Sequence, residues 1–443
     1  MNTLHKFDLV IFGAGFTGLS SAYYYKKKFP EKKILIIEKE NEVGGLCSLI
    51  SFSKIKLEKF YHHWFERDTH IFSLINEIQK KSKIKKSLVS TGMYYSNTQY
   101  RFNSILDILK FKPLNLINRL RLLAFLFYSR VKQDWNALDK ITAQQWLKSL
   151  CGKDIYKIVW QPLLKGKFGS HYKYITAAWI WKRIKDRAEN KKNISATDEY
   201  FYYDGGFGSL AEDVKNFLKN KFKVNFLFNI KTVNIQKKKD NSYNIKFNQN
   251  PNNEIETKQI LFTIPNPEIY NISKKIFSKS FLKKILSIKY LGNICLILML
   301  KKSLSKEYWT NINDANFPFV GVIEHTNLVN KKNFLNCNIV YLSKYVDTES
   351  ALYKMPHEKY LNYSLFFLKK IFPNFKSGTI KKSFLHRAKY AQPLTYKNYI
   401  EKKIPYSSPQ KNIFICNMTQ IYPRDRSTNN AVEEGKNIIK FLN

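Results

Sequence analysis

Gly13, Gly15 and Gly18 stand in the run GAGFTG, between the apolar stretch FDLVIF and the segment LSSAYYYKKK. This spacing suits a strand that turns sharply into a helix. Gly13 permits the turn, Gly15 lets backbone N–H groups approach a pyrophosphate, and Gly18 lets the helix pack closely on the strand. Ala14, Phe16 and Thr17 complete the turn, and the helix N-terminus adds its dipole and free N–H groups. A second strand, KILIIE, ends in Glu38, twenty residues beyond Gly18 and followed by Lys39. A carboxylate there accepts hydrogen bonds from a ribose 2′-hydroxyl. It also disfavours a 2′-phosphate, which leaves NAD or FAD as the nucleotide.

Candidate groups for acid–base and substrate chemistry lie further along. His62 and His63, in FYHHWF, either contact a ligand or pack in an aromatic cluster with Tyr61, Trp64 and Phe65. FVGVIEHTN brings Glu324, His325 and Asn327 together as a loop after an apolar run. They read as a general acid/base pair with an orienting amide, or else as a polar turn. Arg387 and Tyr390, in FLHRAKYAQP, are candidate anion and ring contacts. LLKGKFG sets Lys165 and Lys167 around Gly166, where a carboxylate or phosphate is met or a solvated turn is formed.

The elements that hold these groups follow from the next motifs. Gly44 and Gly45, with Leu46, come just after the second strand in NEVGGLCSLI. This resembles the second glycine motif of the amine oxidase and protoporphyrinogen oxidase superfamily of flavoproteins. YFYYDGGFGSLAEDVKNFL and ILFTIP resemble its central flavin-domain segment. KNIFICNMTQIYPRDRSTNNAVEEGKNIIKFL resembles its closing strand, polar turn and helix. LEKFYHHWFERDTHIFSLI, WQPLLKGKFGSHYKYITAAWIWKRIKDR and YWTNINDANFPFVGVIEHTN look like a bacterial protoporphyrinogen-oxidase-like subgroup.

The resemblance implies an α/β fold with a Rossmann-like, glutathione-reductase-like FAD-binding domain. That discontinuous domain would comprise residues 1–60, 200–275 and 405–443. An inserted α+β substrate domain would use 61–199, helical, and 276–404, mixed α/β. The cofactor implied is non-covalent FAD on the two glycine turns, with Val233 near the adenine. Tyr422, Arg424, Asp425, Asn429 and Asn430 become turn residues near the ribityl chain and pyrophosphate, with Ala431 entering the closing helix. The N-terminus of that helix would stabilise negative charge on a reduced flavin. Three places depart from the pattern, one of them Ser427, which stands in the C-terminal turn where a glycine is common. Val43 and Leu46 flank the glycine pair where an Arg is usual, and Asn293 and Cys295 occupy the neighbourhood of the Lys held by many amine oxidases.

The activity implied is that of an FAD-dependent oxidoreductase taking a hydride from a C–N or C–C unit. A flavin-dependent nucleotide-sugar mutase of the UDP-galactopyranose mutase type shares the same layout. Flavin-free binders of lipidated proteins share the fold but have no need of the glycine set.

Composition narrows the surroundings. The chain has 75 Lys and Arg against 34 Asp and Glu, a formal net charge of +41, and 44% apolar residues. The Lys residues are spread along its length and no nucleic-acid-binding motif accompanies them, so no specific nucleic-acid partner is expected. A small-molecule substrate, anionic or lipid-linked, fits the charge better. Five scattered cysteines without ligand spacing argue against a metal site or a disulfide framework. No charged-then-apolar leader opens the chain, so a cytoplasmic location is expected. LNLINRLRLLAFLFYSRVK reads as an amphipathic helix, with Leu116, Leu120, Leu123 and Phe127 sharing a face among Arg119, Arg121 and Arg130. It either faces the core or lies on the inner membrane face as a peripheral contact.

Overall fold

The computed structural model describes residues 5–132, 134–189, 198–231, 233–247, 250–314 and 316–443. Two seven-stranded sheets organise it. In the first, His5–Phe12 lies between Ile34–Ile37 and Asn250–Phe262, parallel to both. Asn225–Leu227 extends one side in parallel. Ile413–Ile415 pairs in parallel with Ile260 to Phe262 on the other. Val233–Lys237 and Tyr243–Phe247 continue as antiparallel strands. Segments from both ends and the middle of the chain therefore meet in one sheet.

The cause is burial on both faces, as parallel sheets require. Leu9 and Ile11 point into one cluster, with Leu19, Leu210, Val214 and Val432 from helices Phe16–Lys28, Phe207–Phe222 and Thr428–Asn437. Val10 and Phe12 point into another, with Ile269, Phe281 and Ile285 from helices Asn266–Ser273 and Lys279–Ile285.

The second sheet runs Ile380–Pro393, Tyr290–Leu300, Asn338–Val346, Gly321–Glu324, Trp309–Ile312, Thr91–Tyr95, Thr98–Arg101. It is antiparallel except where Trp309–Ile312 pairs in parallel with Thr91–Tyr95. Side chains alternate along a strand. On Tyr290–Leu300, Cys295, Ile297 and Met299 join the cluster that covers the first sheet. Ile294, Leu296 and Leu298 pack instead with Tyr360 and Leu368 of helix His357–Ile371. That one strand ties the two sheets together.

A helical layer completes the molecule, with Trp146, Trp160, Trp179 and Trp181 in a cluster of its own. All five cysteines are free and buried. Among the described residues no helix is long and apolar enough to cross a membrane. The stretch Phe319 to Asn327 corrects an expectation: it is a strand, Gly321–Glu324, running into a short turn of helix, rather than a loop.

Candidate active site

Two adjoining cavities lie beside the second sheet, the larger between it and the first sheet and the smaller between it and the helical layer. The larger, of about 620 Å³, runs along the glycine turns, with Gly13, Gly15, Phe16, Thr17, Gly44 and Gly45 on its wall. A Cβ on Gly18 would sit 2.0 Å from the Gly13 carbonyl oxygen, so the helix rests directly on the turn. A Cβ on Gly15 would meet no protein atom within 4 Å, which leaves the cleft open beside that backbone. Gly15 caps helix Phe16–Lys28 without any side-chain hydrogen bond, and no acid sits in the first turn. The first N–H groups of the helix therefore remain available to an anion. Gly44 takes φ +104°, a conformation that side chains avoid, and brings the second glycine turn against the first.

Glu38 is buried at the end of its strand and borders the same cleft. Its carboxylate accepts from the Ala14 N–H at 2.8 Å and the Glu40 N–H at 3.1 Å. Two oxygens offer about four acceptor positions, so capacity remains for a ribose hydroxyl. Ala14 thus serves Glu38 rather than the cleft. Lys39 crosses to Glu268 at 3.1 Å, and Leu46, Val233 and Ala431 line the wall.

The smaller chamber, of about 290 Å³, shares His62, Arg426, Ser427 and Thr428 with the cleft. Helix Thr428–Asn437 begins at this junction, with Ser427 as its cap accepting from the Asn430 N–H at 3.0 Å. Thr428 is fixed by the Trp64 indole N–H at 2.7 Å. The chamber wall carries Lys167, Arg183, Arg187 and Arg426 against a single acid, Asp425. Asp425 pairs with Lys167 at 3.2 Å and Arg183 at 2.7 Å. Burial pushes its carboxyl up, but Lys167, Arg183 and Arg426 outweigh that and hold it down at about 2. The Nε of Arg426 is buried without a partner.

Both histidines of the pair line the chamber. His62 sits between the Glu58 carboxylate, 3.3 Å from Nδ1, and the Cys47 sulfur, 3.5 Å from Nε2. Burial pulls it down, yet these two neighbours hold it above the ordinary histidine range. His63 stacks on Tyr200 at 4.3 Å and meets the Tyr308 hydroxyl at 3.1 Å. Burial, with His62, Arg187 and Arg183 nearby, pushes it down to about 3, so it is neutral at pH 7. Both histidines thus face the chamber while packing against aromatic rings, His62 on Phe207 and His63 on Tyr200.

Several expected site residues lie elsewhere. Glu324, His325 and Asn327 line neither cavity. Glu324 accepts from the Leu304 and Ser305 N–H groups at 3.0 and 2.9 Å and from the Ser303 hydroxyl. Asn327 donates to the Ser305 and Glu307 carbonyls at 3.0 and 2.9 Å. His325 is packed among Tyr202, Phe334 and Tyr341. Glu324 and Asn327 satisfy the backbone of the turn from Ser303 to Glu307, while His325 only packs, which is why polar residues follow an apolar run.

Arg387 and Tyr390 border the large cleft, not the chamber. The Arg387 guanidinium is committed to the Tyr353 and Met355 carbonyls. In the C-terminal turn, Tyr422 lines neither cavity and bonds to Asp139 and Thr176 instead. Arg424, also outside both cavities, pairs with Glu433. Asn429 accepts from the His70 and Ile71 N–H groups at 2.9 and 3.1 Å, capping a neighbouring helix. Asn430 donates to the Asp425 carbonyl at 2.7 Å.

Sequence reasoning passed over Arg426, Thr428, Arg183, Arg187 and Tyr345, and met Ser427 only as a departure from the turn pattern. Arg426 and Thr428 stand inside the quoted turn, where Arg424 and Arg426 are indistinguishable by spacing. Arg183 and Arg187 carry an i, i+4 signal on one helix face.

A model of flavin-containing amine oxidoreductases matches residues 16–417. The chain belongs to that family, a class of flavin-dependent oxidoreductases. Coproporphyrinogen III oxidase of Staphylococcus aureus is 24% identical over 232 residues, covering 50% of this chain and 46% of that protein. The match therefore spans about half the length of that curated relative. A protein of Exiguobacterium sp. 255-15, provisionally named a protoporphyrinogen oxidase, superposes with a TM-score of 0.77 at 14% identity. It covers 99% of this chain and 98% of its own. Reduced UDP-galactopyranose mutase superposes at 0.74 with 14% identity, covering 98% of this chain and 93% of its own. At such identities these likenesses speak for the fold alone.

Proposed function

We propose that this protein is an FAD-dependent oxidoreductase whose substrate presents anionic groups to the inner chamber. One observation carries the reading: a chamber with four cations and one acid opens into the glycine-lined cleft at the start of helix Thr428–Asn437. The residues present fit FAD. The uncapped helix beyond Gly15 suits the diphosphate, Glu38 the ribose, and the helix N-terminus at Thr428 the electron-rich end of the ring. When bound, the flavin would accept the hydride equivalent. Lys167, Arg183, Arg187 and Arg426 would orient carboxylate or phosphate groups by charge-assisted hydrogen bonds. Neutral His63 would accept or donate at a ring nitrogen without adding charge. Asp425, held ionised, keeps Lys167 and Arg183 in place.

Carboxylate-bearing porphyrinogens suit this electrostatics, in keeping with the name of the Staphylococcus relative. A second reading has its own support. Arginines and tyrosines crowd the chamber, as a sugar-nucleotide diphosphate would require, and the mutase superposes over nearly the whole chain.

The test is spectroscopic. The purified protein should be yellow, and anaerobic addition of coproporphyrinogen III or protoporphyrinogen should bleach it. Conversion of UDP-galactopyranose by the pre-reduced protein, without bleaching by porphyrinogens, would establish the second reading instead. A colourless protein that cannot be reconstituted with FAD would overturn both.

A further inference from the structure

Helix Leu116–Val131 is apolar on two opposite faces. Leu122, Phe125 and Ser129 are buried against the helical core. Leu116, Ile117, Leu120, Phe127, Tyr128 and Val131 are exposed, by 41 to 76%. At 100° per residue these six fall within an arc of about 120°, directly opposite the buried face. Ile105 and Leu106, on the preceding helix Ile105–Leu109, extend the exposed patch at 50 and 55%. Half of the sixteen large hydrophobic side chains exposed among the described residues thus lie between residues 105 and 131. Scattered exposure is ordinary; concentration of this kind marks a contact surface.

The charges around the patch say what covers it. Residues 105–132 contain six Lys and Arg and one acid. That acid, Asp107, is committed to the Asn103 and Ser104 N–H groups at 3.0 and 2.9 Å in a capping box. Arg121, whose Nε donates to the Leu150 carbonyl at 2.8 Å, and Arg130 flank the apolar arc on its two sides; Lys110 and Lys132 stand at helix ends, and Lys112 lies between the two helices. An apolar stripe edged by long cationic side chains matches the boundary of an anionic bilayer, where stems lie in the acyl region and heads reach the phosphates. A second copy would instead bring the same cations face to face across the contact.

We propose that this face docks the protein peripherally on an anionic lipid surface. The inference is independent of which substrate the chamber takes. It has a consequence for that chamber. The Trp181 indole N–H donates to the Ser129 carbonyl at 3.1 Å, joining this helix to Ala177–Glu189. The latter carries Trp179, Arg183 and Arg187 on the chamber wall. A docked protein therefore holds its anion-binding chamber one helix layer from the lipid, positioned for a substrate delivered from the membrane.

The test is flotation of the full chain with vesicles of phosphatidylcholine alone or mixed with phosphatidylglycerol. Wild-type protein should float with the mixed vesicles and not with neutral ones, and high salt should release it. The variant carrying I117S, L120S and F127S, all on the exposed arc, should keep its melting temperature and bind at least about tenfold more weakly. Arg130→Gln should weaken binding by a few-fold. Three results would overturn the proposal. One is no flotation of the wild type. Another is equal flotation of the serine variant, which would indicate attraction by bulk charge. The third is a wild-type dimer in light scattering that the variant converts to monomer, which would make a second copy the occupant.

Discussion

The Arg426 guanidinium donates to the Tyr345 hydroxyl across 2.6 Å, joining the turn before the C-terminal helix to an inner strand of the second sheet. Lys167 lies over the same ring, 4.6 Å from its centre. Burial pushes the Tyr345 phenol up, but Arg426 and Lys167 outweigh that and hold it below the ordinary tyrosine range. Tyr345 lines the chamber, and its lowered phenol makes it a candidate proton carrier there. Arg426→Gln should move the lowest tyrosinate step, followed by ultraviolet difference absorbance, to higher pH. Tyr345→Phe should abolish that step. An unchanged titration in both variants would remove Tyr345 from consideration as a proton carrier.

His63 makes folding sensitive to acid. In the unfolded chain it binds a proton below about pH 6.5, whereas in the fold it stays neutral down to about 3. Between these values the unfolded state holds more protons, so stability falls as the pH drops through that window. His63→Gln keeps a polar partner for Tyr308 but cannot titrate. Its melting temperature should fall less than the wild type's between pH 7 and pH 5; parallel curves would count against a neutral, buried His63.

Glu324 provides the converse case, an acid that the sequence makes look catalytic and the fold uses as a brace. Glu324→Gln replaces one acceptor oxygen by an N–H₂ facing the backbone donors of Leu304 and Ser305. That mismatch should cost about 1–3 kcal/mol of stability. Turnover per folded molecule should match the wild type. A selective loss of turnover with unchanged stability would reinstate Glu324 as an acid/base group.

The difference between these residues shows what the sequence could reveal. Gly13, Gly15, Gly18, Glu38, Gly44 and Gly45 were legible because backbone conformation and close approach restrict those positions to one or two residue types. Their spacing along the chain also equals their spacing along a strand–turn–helix unit. The chamber was not legible, because its cations come from separate segments: Lys167, then Arg183 and Arg187, then Arg426. No local period links such groups, and only the register of the second sheet and the packing of the helical layer bring them together. Buried polar clusters misled for a related reason. Glu324 and Asn429 satisfy turn and helix-end N–H groups, a demand set by tertiary packing. On helix Leu116–Val131 the apolar face read from the sequence, with Leu116, Leu120 and Phe127, is the exposed one, whereas Leu122, Phe125 and Ser129 are buried, because tertiary partners decide which apolar stripe packs inward.

The remaining prediction concerns how the nucleotide turn is held. Helices Phe16–Lys28 and Thr428–Asn437 cross so closely that a Cβ on Gly435 would lie 2.1 Å from the Ser20 Oγ. The same atom would lie 2.9 Å from the Ser21 nitrogen and the Thr17 oxygen. Ser20 itself donates to the Phe16 carbonyl at 2.6 Å, within the first turn of the helix that opens on the glycine cleft. Gly435→Ala should therefore separate the helices, with an overpacking cost of about 1–3 kcal/mol. Flavin retention through gel filtration should fall together with stability, because Thr17 and Ala431 on the two helices both line the cleft. Adding Ser20→Ala removes the nearest obstacle and leaves the two backbone atoms, so the double variant should recover part of the loss. Full stability in Gly435→Ala alone would show that the contact yields without cost, and that the cleft does not depend on it.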